Sequence, residues 1–124
     1  MGKRELLTLA SMLTLDGAYL YLNGDTFGRI IRSIQGTQMS VRIPALVIVY
    51  LLMVVGLLYF IIWPNRSPRE AALLGLLVFG VFTFTNNAIF KKWGFPATLL
   101  DAIWGPALFG ATTFIVQRAY GATA

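Results

Sequence analysis

"IPALVIVYLLMVVGLLYFIIW", residues 43–63, decides the fold of this chain, because it contains no charged side chain. A helix needs roughly 20 mostly apolar residues to cross a bilayer. The composition of the whole chain agrees, since 57% of its 124 residues are hydrophobic and only 12% are charged. A soluble domain carries about 25% charged residues, and so short a chain has too little interior to hide this much apolar surface. Composition therefore predicts an integral membrane protein.

Three further segments of similar length flank this stretch, at about residues 5–23, 70–90 and 98–120. The third span has a clear start signal in "SPRE", residues 67–70, where serine is an N-cap, proline follows it and glutamate stands three residues after the cap. The fourth span begins with a similar pattern in "TLLD", residues 98–101. These signals predict four membrane-spanning helices.

Four spans joined by short connections predict an all-α membrane four-helix bundle, a single transmembrane domain over residues 1–124 with both termini on one side. The first connection, residues 24–42, is the longest. Within it, "FGRIIRSI", residues 27–34, places apolar side chains at the i, i+3, i+4, i+7 spacing of a helix. We expect a short interfacial amphipathic helix lying in the headgroup plane between the first and second spans. An ordered loop packed on the mouth of the bundle is the alternative. The membrane side that carries this connection is called side A.

Residue types limit the chemistry that this chain can perform. It has no cysteine and no histidine, which excludes thiol chemistry and removes the commonest general base and transition-metal ligand. No phosphate-binding loop or nucleophile–base pair is recognisable. The sequence therefore predicts a protein that is not an enzyme, with no catalytic residue, no cofactor and no metal site.

The charge of the chain is interpreted as lipid headgroup contact. Ten Lys/Arg against five Asp/Glu give a net charge of +5, which in a membrane protein favours anionic headgroups over nucleic acid. No nucleic-acid partner is expected. The headgroup contacts predicted on side A are Arg29, Arg32, Arg42, Lys91 and Lys92.

Polar side chains from all four spans fall at similar depths below side A. Counted at about 1.5 Å per residue, Asp16, Tyr50 and Thr83 each lie about 10 Å deep. An ionised carboxylate in hydrocarbon costs several kcal/mol, so the acids should face the bundle interior and accept hydrogen bonds there. We also expect arginines of side A to reach down toward them. The predicted intramembrane polar cluster comprises Asp16, Tyr50, Thr83, Asn86, Asn87, Asp101 and Trp104.

Two interpretations of this cluster remain open. In the structural one, interhelical hydrogen bonds fix the packing of four short helices. In the functional one, an aspartate in a half-buried pocket binds a proton, a cation or a small polar solute. For Asp101 a further structural interpretation is the acidic first turn of the fourth helix, which the helix dipole favours.

Other residues near the helices have structural interpretations. Trp63, Trp93 and Tyr120 stand near helix ends and are interpreted as anchors at the membrane interface. Small residues allow helices to approach closely. The glycines expected to do so are Gly75, Gly80, Gly105 and Gly110.

Four stretches in this order resemble a known family. They are "LDGAYLYL", "IIRSIQGTQMSVRIPALVIVY", "GVFTFTNNAIFKKWGF" and "LLDAIWGP", and together they resemble the small predicted membrane proteins catalogued as domain of unknown function 2177. The most specific elements are "TNxAxxxxW" and "DxxWG", matched by Thr85, Asn86, Ala88, Trp93, Asp101, Trp104 and Gly105.

The resemblance covers nearly the whole chain and implies a four-helix integral membrane protein, with no established activity. The family often has an acidic residue two positions before the threonine of its first motif. This chain has Thr83 there, which removes one acid from the cluster and weakens a proton-relay interpretation.

Three functions follow from these observations. The first is a non-enzymatic structural or accessory component of a membrane or a larger membrane assembly, such as an organellar complex or the membrane layer of a large virus. Its partners would be the lipid bilayer and other membrane helices. The second is a transporter or channel that works as a self-dimer, a small-solute or proton-coupled transporter using Asp16. The third is an intramembrane enzyme that uses Asp16 and Asp101 jointly, which requires the two carboxyl groups to lie close together.

Overall fold

The computed structural model describes residues 2–36 and 42–120, and this part of the chain is all-α with no strand. Four helices are present, as the sequence predicts, and the second ends in a π-helical turn. The helices are α1 (Lys3–Gln35), α2 (Ile43–Leu57, continued by the π-helical turn Leu58–Ile62), α3 (Pro68–Ile89) and α4 (Phe95–Tyr120).

Contacts at the two ends of the bundle show that consecutive helices run antiparallel. At one end the Trp63 indole N–H, just after α2, donates to the Glu5 carboxylate near the start of α1 at 2.9 Å. At the other end the Lys92 ammonium, in the turn between α3 and α4, donates to the Ser33 carbonyl near the end of α1 at 3.1 Å. The described termini therefore lie at the same end, and the end with Ser33 and Lys92 is the side-A end.

The first helix differs from the prediction. The predicted span 5–23 and the amphipathic segment 27–34 form one continuous helix of 33 residues, so the segment is not a separate helix lying in the headgroup plane. No proline interrupts it, and its three glycines, Gly17, Gly24 and Gly28, do not break it. Phe27 is only 8% exposed, with its ring centroid 5.7 Å from that of Trp93. The amphipathic face thus packs on the turn between α3 and α4, and α1, about 50 Å long, exceeds the ~30 Å hydrocarbon core.

Three of the described helices are long and apolar enough to cross a membrane. The predicted spans 43–63, 70–90 and 98–120 agree with them to within three residues. Helix α1 is not among the three, because Glu5 and Asp16 lower the hydropathy of its apolar part. The three helices are Ile43–Ile62, Pro68–Ile89 and Phe95–Tyr120.

The start of α3 is the predicted capping box. The Ser67 hydroxyl accepts the Glu70 backbone N–H at 3.2 Å, and the Glu70 carboxylate accepts the Ser67 backbone N–H at 3.4 Å. The start of α4 differs from the prediction, because the helix begins at Phe95 and not at Thr98. Thr98 already lies in the first turn, where its hydroxyl donates to the Gly94 carbonyl at 2.9 Å.

Helices α3 and α4 touch through their backbones at Gly75 and Gly105. A Cβ atom placed on Gly75 would lie 2.6 Å from the Gly105 carbonyl carbon, and one on Gly105 would lie 2.6 Å from Cβ of Phe79. Gly110 also faces a neighbouring helix, with its nearest atom 3.5 Å from such a Cβ. Gly80 meets only its own helix, so the expected close contact is absent there.

The buried side chains of residues 2–36 and 42–120 form two apolar clusters along the bundle axis. The larger one fills the half away from side A and includes Met12, Leu57 and Phe109. The smaller one lies toward side A and contains Tyr19 and Trp93. Trp104 packs against both clusters, and the polar side chains described next surround this junction.

Candidate functional site

Asp16 on α1 is a buried acid bonded to two other helices. Its side chain is 7% exposed. The Tyr50 hydroxyl of α2 donates to one carboxylate oxygen, and the Trp104 indole N–H of α4 donates to the other at 2.9 Å. Three helices therefore meet at this carboxyl group.

Asp101 on α4 is the second buried acid, 5% exposed. The Tyr19 hydroxyl of α1 donates to its Oδ1 at 2.5 Å, and Thr83 of α3 is its other side-chain hydrogen-bond partner. The fully buried Thr83 hydroxyl in turn accepts the Trp93 indole N–H at 3.1 Å. Asp101 lies beyond the first turn of α4, which holds no acid. The first-turn interpretation of Asp101 is therefore wrong.

The two acids are linked because two helices carry similar motifs, and the aromatic donor of each helix bonds to the acid of the other. Each helix carries an aspartate followed three residues later by an aromatic donor: Asp16 and Tyr19 on α1, Asp101 and Trp104 on α4. Residues three apart share a helix face. Tyr19 donates to the acid of α4, and Trp104 donates to the acid of α1. The two rings stack with centroids 4.7 Å apart and planes 2° from parallel, a geometry that adds stability beyond the area buried.

Neither buried acid has a basic partner within residues 2–36 and 42–120. The ion pairs in these ranges join Arg4 to Glu5 and Arg66 to Glu70, at the end away from side A. The expectation that arginines of side A reach down to the acids is wrong. Arg29 is the side-A arginine nearest to Asp16 along α1, and it lies 13 residues beyond that acid, or about 20 Å along the helix axis.

This arrangement limits what the site can do chemically. Within the described part of the chain, the hydrogen-bond donors to the acids are all neutral: two phenols, an indole and a hydroxyl. A buried carboxylate without a counter-charge is costly, and hydrogen bonds from these neutral donors offset part of that cost. Within the described ranges no three metal-ligating side chains come together, and no hydrogen bond joins the two carboxyl groups directly.

The two asparagines of the predicted cluster lie elsewhere. The Asn87 side-chain amide donates to the Trp93 carbonyl at 2.8 Å, so it closes the turn between α3 and α4. Asn86 is half-buried and lines a groove between α1 and α3. The structure therefore brings together the five other members of the predicted cluster: Asp16, Tyr50, Thr83, Asp101 and Trp104.

Two residues of the site were not in the predicted cluster. Tyr19 could have been found from its position three residues after Asp16. Trp93 was interpreted as an interface anchor, which is wrong, because it is 6% exposed and donates to Thr83. The other two aromatic residues interpreted in that way, Trp63 and Tyr120, are 49% and 47% exposed.

The predicted headgroup contacts all lie at the side-A end and are exposed. Lys92 donates to the Ser33 carbonyl, so it also joins the turn to α1. Residues 37–41 lie outside the described part of the chain, which resumes at Arg42. The five exposed basic residues are Arg29, Arg32, Arg42, Lys91 and Lys92.

Comparison with known protein families identifies the family of this chain. The model of a family described as "Predicted membrane protein (DUF2177)" matches residues 3–117, a range that includes both buried acids and all of their partners. No curated protein and no solved structure matches the chain.

Proposed function

Because the chain belongs to the DUF2177 family of predicted membrane proteins, we propose that it is a multi-pass integral membrane protein acting as a structural or accessory component, and not an enzyme. The observation that carries this proposal is the hydrogen bonding of Asp16 and Asp101. Their partners come from all four helices. Interhelical hydrogen bonds in membranes contribute about 0.6–2 kcal/mol each, so the cluster sets the packing of the bundle.

The outer surface supports insertion in a bilayer. Only 33% of the apolar window of Ile43–Ile62 and 11% of that of Pro68–Ile89 are buried inside the bundle. Exposed apolar surface on this scale needs acyl chains or partner helices to cover it. Helix α1 runs from Glu5, beside Trp63 just after α2, to Ser33, beside Lys92 in the turn between α3 and α4. We therefore infer that α1 crosses the membrane together with the other three helices. The hydrogen bonds to Asp16 keep this carboxyl group inside the bundle and away from lipid.

The proposed partners are other membrane helices, from a second copy or from a larger assembly. Support comes from α2, whose residues 43–49 are all exposed, while Tyr50 is the first partly buried residue. The side-A half of this helix thus stands away from its own bundle and is free to pack against lipid or a neighbouring helix.

Single-cysteine labelling tests the proposed topology, because the natural chain has no cysteine. Lys3→Cys, Arg69→Cys and Lys91→Cys would each be exposed to a membrane-impermeant maleimide in sealed vesicles. Positions 3 and 69 should react from one side and position 91 from the other. Labelling of positions 3 and 91 from the same side would refute the crossing of α1.

Proton-coupled transport by a dimer is the second candidate, and it is favoured because Asp16 has no basic partner among residues 2–36 and 42–120. Asp16→Asn removes the ionisable group, and Asp25→Asn, an exposed acid on the same helix, is the matched control. Transport predicts that Asp16→Asn abolishes substrate flux or drug resistance at normal expression while Asp25→Asn does not. A structural role predicts unchanged flux and a less stable protein.

An intramembrane enzyme is the weakest candidate. The hydrogen bonds to Asp16 and Asp101 come from aromatic and hydroxyl donors of the protein itself. These donors occupy the positions that a substrate or a catalytic water would need. Retention of any newly found hydrolytic activity in the Asp16→Asn and Asp101→Asn variants would exclude a diaspartyl mechanism.

A further inference from the structure

A groove of about 280 Å³ opens at the side-A end of the bundle, between α1 and the end of α3. Its walls come from two helices and the turn that follows α3, so it is built by tertiary packing and not by one helix. Five of the seven lining side chains are apolar: Ile31 and Ile34 of α1, Phe82 and Phe90 at the end of α3, and Trp93 of the turn. The two polar ones are Gln35 of α1 and Asn86 of α3.

Basic residues stand next in the chain to residues that line the groove. Arg32 follows Ile31 on α1, and Lys91 follows Phe90 at the end of α3; both cations are exposed. The Lys92 ammonium crosses to the Ser33 carbonyl beside the same wall. Across the described residues 23–36 and 86–96 the sole acid is Asp25. The groove therefore combines apolar walls with a cationic border.

Asn86 gives this apolar groove a polar group. Its side chain is half-buried in the wall, and within residues 2–36 and 42–120 it makes no hydrogen bond to protein. An amide in such a position can donate to an ester carbonyl while the surrounding walls contact methylene groups.

We propose that this groove binds one acyl chain of an anionic phospholipid, with the phosphate beside Arg32 and Lys91 and an ester carbonyl beside Asn86. The inference rests on the membrane location proposed above. A polar solute would leave five apolar walls uncovered, and a zwitterionic lipid would gain little from the cationic border. Each basic residue near an anionic headgroup raises affinity roughly fivefold.

Lipid retention by the purified full chain tests the headgroup part of the proposal. Native mass spectrometry would compare phosphatidylglycerol with phosphatidylcholine of identical acyl chains, and soluble glycerol phosphate would report on phosphate binding alone. Phosphatidylglycerol should be retained over phosphatidylcholine, and glycerol phosphate should not bind. The double variant Arg32→Gln/Lys91→Gln should lose roughly 25-fold in phosphatidylglycerol affinity. The control Lys3→Gln/Arg69→Gln, at the opposite end, should lose nothing.

A second variant pair tests the acyl-chain part. Ile31→Trp fills the groove and should reduce retention of phosphatidylglycerol, whereas Leu73→Trp, on a lipid-facing position of α3 that is 57% exposed, should leave it unchanged. Far-UV circular dichroism would verify that both variants fold.

Three results would overturn the lipid proposal: equal retention of the two lipids, equal effects of the two charge variants, or unchanged retention in folded Ile31→Trp. Extraction of the protein from membranes by alkaline carbonate would instead refute the proposed membrane function itself.

Discussion

The hydroxyl of Tyr50 offers the sharpest test of the polar cluster. Among the described residues of Ile43–Leu57, it makes the one side-chain hydrogen bond from α2 to another helix, to Asp16. Tyr50→Phe removes this bond and keeps the ring. A membrane interhelical hydrogen bond contributes about 0.6–2 kcal/mol, and bonds to charged acceptors contribute about 1.5–3 kcal/mol. We therefore expect the free energy of unfolding to fall by about 1.5–2 kcal/mol.

The assay is reversible unfolding of the purified protein in mixed micelles, with the helix content followed by far-UV circular dichroism as the fraction of dodecyl sulfate rises. The matched control is Tyr59→Phe, one residue into the π-helical turn of the same segment. Tyr59 is 62% exposed, and within the described chain its hydroxyl has no hydrogen-bond partner. Its loss should change stability by less than about 0.5 kcal/mol.

A double-mutant cycle with Asp16→Asn isolates the pair from other effects of each substitution. The two changes should be non-additive, with a coupling energy of at least about 0.5 kcal/mol. Additive effects, or a loss in Tyr59→Phe as large as that in Tyr50→Phe, would refute the conclusion that this bond holds α2 to the bundle.

Three further stability changes are expected in the same unfolding assay. Gly75→Ala should destabilise the protein by about 1–3 kcal/mol or more through the clash with α4, whereas Gly17→Ala, with no atom within 4 Å of the added carbon, should be neutral or stabilising by up to ~1 kcal/mol. Ser67→Ala removes the capping box and should cost about 1 kcal/mol, and an unchanged midpoint would contradict its role. Trp93→Phe loses a buried indole bond and should cost about 1 kcal/mol, more than the exposed Trp63→Phe; the reverse order would contradict the buried role of Trp93.

The reciprocal bonding of the two acids bears on the choice between a structural and a transport role. Each acid is held by donors from other helices, so removing either one loosens the bundle as well as removing an ionisable group. Loss of activity in Asp16→Asn is therefore informative only beside a measured stability. Tyr50→Phe provides that comparison, because it weakens the same contact and leaves the acid in place.

Sequence alone determined the class, the second, third and fourth helices and most of the cluster. An uncharged stretch such as residues 43–63 cannot stay in water, and a fixed rise of about 1.5 Å per residue turns sequence distance into depth. Counting from the span ends predicted Asp16 and Tyr50 at one height, and the structure bonds them to each other. The capping box at residues 67–70 was also readable, because its hydrogen bonds are local.

Only the tertiary structure decided which side chains meet. Depth says nothing about the rotation of a helix about its axis, and this rotation is set by packing, as at Gly75 against α4. With the rotation that the structure shows, the Asn87 side chain bonds in the turn between α3 and α4. The Trp93 indole points inward and donates to Thr83. Likewise, the amphipathic pattern at the end of α1 is compatible both with a separate interfacial helix and with a continuation of the first helix. It continues the first helix because the ring of Phe27 is buried against Trp93, a contact between residues far apart in the chain that no local pattern encodes.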